Sequence, residues 1–422
     1  MWSPIEIAEM RPGPAPEEDS PSGARILLYS HDSYGLGHFR RNLLLASSIS
    51  RALPGASILC VTGSPRSHAF PLPPRFDYLK LPSATKDAAG TYRARTLPLT
   101  LQEIARFRTR ILREAAASYR PDLVLVDHAP LGMAGEIVPM LEDLSRRRPR
   151  PSIVLGVRDI VDAPERVRRD WARPAVRRAF TSLYDRLLVY GMKDVFDPVE
   201  AYGLPESVRR KTVYTGYLGP SPSPPSRERA RRKLGLGKQP FVLGIVGGGG
   251  DGYPLLWSLL EVLRGDPKPA YACALVTGPL MSSDRRQRLR ARLNGNPNHR
   301  IHEFLPDLPA YIAAADVVVS MAGYNSVCEI LRSGARSILV PRVHPRLEQW
   351  VRARRLADLG LTRVLDPAAL TPEVLRREIE AALASEPGDS PPPRAIDFDG
   401  ADRAAEEVRR LLEARRRKRA RR

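Results

Sequence analysis

The sequence predicts an α/β protein made of two Rossmann-like lobes, each with a parallel sheet covered by helices, facing one another across a cleft. Three observations carry that prediction. Short apolar strand patterns alternate with helical ones, which is how parallel sheets buried on both faces read. A strand, a glycine loop and a helix open the pattern at Arg25, and the same order opens it again at Phe241. Between the two, residues 218–226 (LGPSPSPPS) interrupt all periodicity, and their prolines make a stiff connection.

Length and charge set the outer limits. A chain of 422 residues is long enough for each of two domains to bury its own core. The reading divides it into a disordered start (1–23), a first lobe (24–219), a second lobe (220–393) and a C-terminal helix with a basic tail (394–422). The opening residues lack the basic-then-apolar order of a secretory signal, and no apolar run reaches bilayer-spanning length, so a cytoplasmic protein is expected. Cys60, Cys273 and Cys328 are an odd, scattered set that fits neither a disulfide framework nor a structural zinc site. The formal charge of +20 predicts attraction to anions, although an Arg-, Ala- and Pro-rich composition is an equally good source of it. Residues 415–422 (RRRKRARR) concentrate that charge next to a helical pattern over 401–414. Such a run is either solvated surface or a weak contact with an anionic leaflet, at about 1 kcal/mol per basic residue.

The first lobe starts with a strand over 25–30, a glycine loop over 31–38 and a helix over 39–53, in which Phe39, Leu43, Ala46, Ile49 and Leu53 share one face. Strands are expected at 57–61, 123–126, 153–157 and 186–190. The stretch 99–119 reads as a basic amphipathic helix, suited either to solvent or to a lipid surface. In the second lobe a strand over 241–246 leads into the glycine run 247–250, then a helix over 254–263 whose proline suits the first helical position. Strands at 271–276, 317–320 and 337–340 follow, and a helix over 326–333 is stopped by Gly334.

Chemistry is expected where polar residues gather at strand ends. The bend 321–325 delivers a ligand to a helix start, where a partial positive charge and unpaired N–H groups favour phosphate. Neither glycine loop is a full dinucleotide or P-loop fingerprint, since 31–38 lacks a third glycine and 247–250 lacks the Lys-Ser/Thr pair. Each could simply permit a tight turn. Their paired placement instead suggests a cleft between the carboxyl ends of two sheets.

The segment IHEFLPDLPAYIAAADVVVSMAGYNSVCEILRSGARSILVPR, followed by LEQW, resembles the C-terminal lobe of the MurG-type, family 28-like glycosyltransferases, which use UDP-sugars and adopt the GT-B fold. The matching residues are Glu303 and Phe304, Ala322 and Gly323, Glu329, Val340 and Pro341, then Glu348 and Gln349, with Glu348 standing where the family has the first of two glutamines. The resemblance implies that Glu329 binds ribose hydroxyls, that backbone near Phe304 and Leu305 reads the base, and that Gln349 contacts the donor sugar, with Glu348 beside it. It places the diphosphate near Gly247, Gly248, Gly249 and Gly250 and the turn containing Gly323, Asn325 and Ser326. A carboxylate can accept two hydroxyls and glycine lets backbone N–H groups approach phosphate. Ser326 and Glu329 also have capping-box spacing, which would fold the glutamate back onto its own helix. Asp251 would oppose a diphosphate unless turned away.

In the first lobe the resemblance is looser and rests on the loop with Gly35 and Gly37 and the succession of strands. His38 at a helix start is expected to stay neutral and act as the base, or to bind the acceptor; Asp127, just past a strand, is the alternative base. Arg158 and Asp159 end another strand and are expected on the acceptor side. No metal site is expected, because helix starts can take the place of a divalent ion at the leaving phosphate. The implied function is inverting, metal-independent sugar transfer from a nucleotide diphosphate, UDP above all, to an unidentified acceptor, without a cofactor and at or near the inner face of the membrane. Epimerisation or hydrolysis of a UDP-sugar on the same fold is the alternative. Specific nucleic-acid binding ranks last, since basic charge here lacks aromatic platforms or a known module.

Overall fold

The computed structural model describes residues 23–31, 37–64, 67, 71–86, 92–219, 225–265, 271–293, 296, 298–385 and 396–420. The expectation of disorder over 1–23 therefore falls, but for Gly23, outside the described residues, as do Gly35 and much of the proline-rich connection.

Two parallel sheets are present. The first contains β1 (Arg25–Ser30), β2 (Ser57–Thr62), β3 (Phe76–Lys80), β6 (Leu123–Asp127), β7 (Ser152–Arg158), β8 (Arg186–Tyr190) and β9 (Thr212–Tyr214), in the order β3-β2-β1-β6-β7-β8-β9. A short antiparallel pair, β4 (Ala84–Lys86) and β5 (Tyr92–Ala94), lies outside it. The second contains β10 (Phe241–Ile245), β11 (Ala272–Val276), β12 (His299–His302), β13 (Val317–Ser320), β14 (Arg336–Leu339) and β15 (Arg363–Val364), in the order β12-β11-β10-β13-β14-β15. In both sheets the chain winds outward from the first strand and then reverses, so each has a switch point beside it, β1/β6 in one and β10/β13 in the other. Ligands of open α/β sheets bind at such points, beyond the carboxyl ends of the strands.

The central strands are apolar save for Asp127 at the end of β6, because both faces are covered: β6, β10 and β11 are buried at every residue. Their β-branched and leucine side chains, with those of the covering helices, form core layers on the faces of the sheets, one of which runs from the first lobe into Tyr324, Val327, Leu339 and Leu356 of the second. The helix Leu101–Tyr119 begins two residues later than the periodicity predicts, because Thr100 caps it and closes a capping box with Glu103. Its inward face includes Arg108, which pairs with Glu136 at 2.7 Å. One of the basic residues in that stretch is thus internal structure and does not belong to a charged surface.

The last helix, Gly400–Ala420, returns to the first lobe. Ala401, Ala404, Ala405, Val408 and Leu412 recur at helical spacing and share a buried core with Phe39, Leu43, Ala46 and Ile49 of the helix Gly37–Ala52. Arg415, the first residue of the basic run, is tied to Asp122 and to the carbonyls of Pro149 and Arg150. Among the described residues no helix is long and apolar enough to cross a membrane.

Candidate functional site

A cavity of about 660 Å³ lies between the two lobes, at the carboxyl ends of both sheets. Its walls include His31, His38, His128 and Arg158 from the first lobe, and Gly247–Gly250, Ser320, Gly323, Ser326, Arg342, Glu348 and Gln349 from the second. His31 and His38, at the two ends of the first lobe's glycine loop, and the glycine run of the second lobe therefore line the same space.

On the first-lobe side, the helix Gly37–Ala52 starts at the cavity and carries His38 in its first turn. His38 Nδ1 lies 2.6 Å from Asp127 Oδ2, at the end of β6. Arg41, one turn further along the same helix face, donates to both oxygens of Asp127, from Nε at 2.9 Å and from Nη2 at 2.7 Å. Asp127 is completely buried and His38 is 17% exposed. Burial alone would raise the Asp127 carboxyl, but the Arg41 guanidinium and the His38 N–H outweigh it and hold the group well below the usual carboxylate range. His38 Nδ1 also lies 2.8 Å from Arg41 Nη2; its shorter contact is to the carboxylate, which only accepts, so we assign the Arg41 hydrogens to Asp127 and the His38 proton to Nδ1, which leaves Nε2 as an acceptor.

His128 follows Asp127 with φ at +71°. Its Nε2 is 3.2 Å from Arg158 Nη2, and since a guanidinium only donates, Nε2 accepts. Burial, then the neighbouring Arg158, keeps this imidazole neutral, well below its ordinary value.

On the second-lobe side, the run after β10 needs its glycines. Gly247 and Gly249 have φ of +59° and +90°, and a Cβ on Gly249 would meet Thr277 O at 1.9 Å. The helix Tyr324–Ser333 begins at Gly323, which provides no side-chain cap. Ser326 is therefore inside the first turn and does not act as the N-cap, so the capping-box arrangement with Glu329 is not formed. Asn325 Nδ2 donates to Gly37 O at 3.4 Å, bringing the two helix starts together across the cleft. Glu329 does not line the cavity. It lies one turn beyond Ser326 and is held by Arg40 of the first lobe at 2.6 Å.

The remaining predicted residues divide between wall and frame. Glu348 is ion-paired with Arg158 across the cleft and with Arg342 at 3.0 Å. Burial would raise its carboxyl, but Arg158, Arg352 and Arg342 bring it down to about 2. Arg342 also meets Asp251 at 3.1 Å, which neutralises the charge that would oppose a diphosphate. Gln349 Oε1 accepts from the Arg342 N–H at 3.0 Å, so its amide nitrogen is the end left for a ligand. Asp159 is not part of the wall: both it and Arg352 are 1% exposed and pair at 2.7 Å, tying the lobes together beneath the cavity. Leu305 is buried and Phe304 is 57% exposed at the end of edge strand β12; neither lines the cavity. Arg40, Arg41, His128, Arg342 and Arg352 were not singled out from sequence. Arg40 and Arg41 sit inside the GHFRR motif, and the three-residue step from His38 to Arg41 was the available signal.

Residues 254–407 match the family described as "Glycosyltransferase family 28 C-terminal domain". A UDP-N-acetylglucosamine--N-acetylmuramyl-(pentapeptide) pyrophosphoryl-undecaprenol N-acetylglucosamine transferase of Rubrobacter xylanophilus is 32% identical over 163 residues, 37% of this chain and 44% of that protein. The chain thus spans less than half the length of this curated relative. MurG of Acinetobacter baumannii superposes with a TM-score of 0.55 at 15% identity, over 93% of this chain and 99% of that one. A putative UDP-N-acetylglucosamine 2-epimerase of Listeria monocytogenes superposes with a TM-score of 0.61 at 12% identity, over 94% and 98%. At those identities the structures establish the two-lobed GT-B fold along nearly the whole chain.

Proposed function

We propose, from the match of residues 254–407 to the glycosyltransferase family 28 C-terminal domain and from the GT-B fold, that the chain transfers a sugar from a nucleotide diphosphate, UDP above all, to an acceptor hydroxyl with inversion. One observation carries the reading: an imidazole backed by a buried carboxylate, and a glycine run beside an uncapped helix start, line the same cavity from opposite lobes.

In this reading the acceptor hydroxyl gives its proton to His38 Nε2 as its oxygen attacks the anomeric carbon. The bond from that carbon to the diphosphate breaks on the opposite face. Asp127 positions the imidazole and stabilises the imidazolium that forms, and Arg41 fixes Asp127. Backbone N–H groups of Gly247–Gly250, the helix start at Gly323–Ser326 and the Arg342 guanidinium take the charge on the departing diphosphate, in the role a divalent ion would otherwise fill. Glu329 takes the ribose, backbone near Phe304 and Leu305 the base, and the Gln349 amide the donor sugar. Glu348, already bound to two arginines, shapes the sugar site by holding Arg158 and Arg342. The acceptor enters from the side of Arg158 and His128. A cytoplasmic-face location, with a weak contact between the basic tail and an anionic leaflet, belongs to the same proposal.

Incubation with labelled UDP-sugars, with and without candidate acceptors and with excess chelator, tests it. An acceptor-dependent glycoside of inverted configuration, formed in chelator, is the expected product. Free UDP with an epimerised or hydrolysed sugar would replace transfer by the alternative reaction. Absence of any stabilisation by UDP, GDP or dTDP would overturn both.

A further inference from the structure

The GHFRR turn contains one charged residue that the arrangement of His38, Asp127 and Arg41 leaves unused. Arg40 Nη2 donates to Glu329 Oε1 at 2.6 Å, reaching from the first lobe to the helix Tyr324–Ser333 of the second. Glu329 is 6% exposed against 40% for Arg40, so the carboxylate is internal and its counter-ion reaches the surface. The other oxygen, Oε2, is buried and has no hydrogen-bond partner among the described residues.

A buried ionised carboxylate needs both a counter-ion and hydrogen bonds to its remaining lone pairs. Arg40 supplies the first. No described residue supplies the second at Oε2, although a carboxylate has room for about four donors. Ser326, on the same helix face one turn earlier, lines the cavity. A ligand seated over that helix start can therefore bring donors to Glu329, and adjacent hydroxyl groups are the neutral donors that match a carboxylate edge.

We infer that Arg40 completes the ribose site from the opposite lobe, holding Glu329 oriented so that its second oxygen accepts from the vicinal hydroxyls of the nucleotide. This rests on the reading of the cavity as a nucleoside-diphosphate site. Ribose recognition then requires both lobes in register, and the turn that bears His38 is mechanically tied to nucleotide occupancy. Arg40 is a positioning residue for the donor and does not itself touch the reacting atoms.

The test measures binding of UDP and of 2′,3′-dideoxy-UDP to the full chain by titration calorimetry, for wild type, Arg40→Met, Arg40→Lys and Glu329→Gln. Losing the oriented carboxylate should weaken UDP about tenfold in Arg40→Met while the dideoxy nucleotide stays within about twofold of wild type. Glu329→Gln should show the same selectivity, and combining Arg40→Met with Glu329→Gln should add nothing further. Arg40→Lys keeps the charge and should recover part of the loss; if Arg40→Met does not fold, the Lys variant carries the comparison. Equal weakening of both nucleotides would make Arg40 a mere interlobe tie and overturn the inference, as would unchanged UDP binding. Wild type that binds neither nucleotide would instead overturn the nucleotide-site reading itself.

Discussion

His38 Nδ1 lies 2.6 Å from Asp127 Oδ2, and Asp127 in turn is bound through both oxygens by the buried Arg41. The carboxylate is completely enclosed, so it does not reach an acceptor in the cavity. Its available effect is on the imidazole, whose tautomer it selects.

That relationship separates two substitutions. His38→Ala should lower kcat by about 10²- to 10⁴-fold, the range for losing a general base, while UDP binding stays close to wild type. Asp127→Asn keeps the shape but presents an amide that can force the wrong tautomer, and should lower kcat to a comparable degree. Steady-state kinetics with UDP titrations on each variant check both. Parallel loss of UDP affinity would instead place these residues in donor binding.

Most of the fold was legible because the middle of a buried parallel strand has to be apolar, even where its ends carry Arg25, Arg186 or Ser320. The observed β1, β8 and β13 coincide with the predicted 25–30, 186–190 and 317–320. Edge strands escaped the reading for the converse reason. β12 is HRIH and β15 only Arg363–Val364, and segments with one face in solvent need not be apolar. The glycine runs and His38 were visible as local patterns at strand ends. Asp159 and Arg352 could not be paired in advance: they are 193 positions apart, and nothing local distinguishes an arginine that crosses between lobes from the many that stay on the surface. The same holds for the helix Gly400–Ala420, whose apolar stripe was readable but whose choice of partner was not.

The Asp159–Arg352 pair yields a stability prediction. With both groups 1% exposed, removing either leaves an uncompensated buried charge. Asp159→Asn or Arg352→Met alone should cost about 3–5 kcal/mol, and the double variant substantially less than the sum. Chemical denaturation of the three variants measures the coupling. Additive losses would show that the two residues act separately.

The glycine run should respond unevenly to alanine. At Gly249 the new methyl would collide with Thr277 O and must also adopt φ of +90°, so Gly249→Ala should displace the loop and abolish measurable UDP binding. At Gly247 nothing lies within 4 Å of the added carbon, and only the positive φ of +59° opposes it. Gly247→Ala should therefore cost about 1–2 kcal/mol and leave binding weakened but detectable. Calorimetric titration with UDP ranks the two; the reverse order would mean the loop adopts another path when occupied.

Glu348 gives the chain an acid-dependent component of stability whose sign follows from its partners. Arg158, Arg352 and Arg342 bring the folded carboxyl down to about 2 from an ordinary value of 4.5. A group depressed in the folded state contributes its full stabilisation above the unfolded value and loses it as pH falls toward the folded one. Asp127, held low by Arg41 and His38, adds a contribution of the same sign. Stability should accordingly be level near neutrality with respect to these groups and decline between about pH 5 and pH 2. The Glu348 share is on the order of 3 kcal/mol for the shift from 4.5 to about 2. Glu348→Gln removes that share, so the variant should start less stable at pH 7 and show a shallower acid decline. Its difference from wild type should narrow as pH approaches 3. Urea denaturation of both proteins across that interval measures the slopes. A constant difference would show that Glu348 is not ionised differently in the folded and unfolded chains, and that its arginine partners are held in place by other contacts.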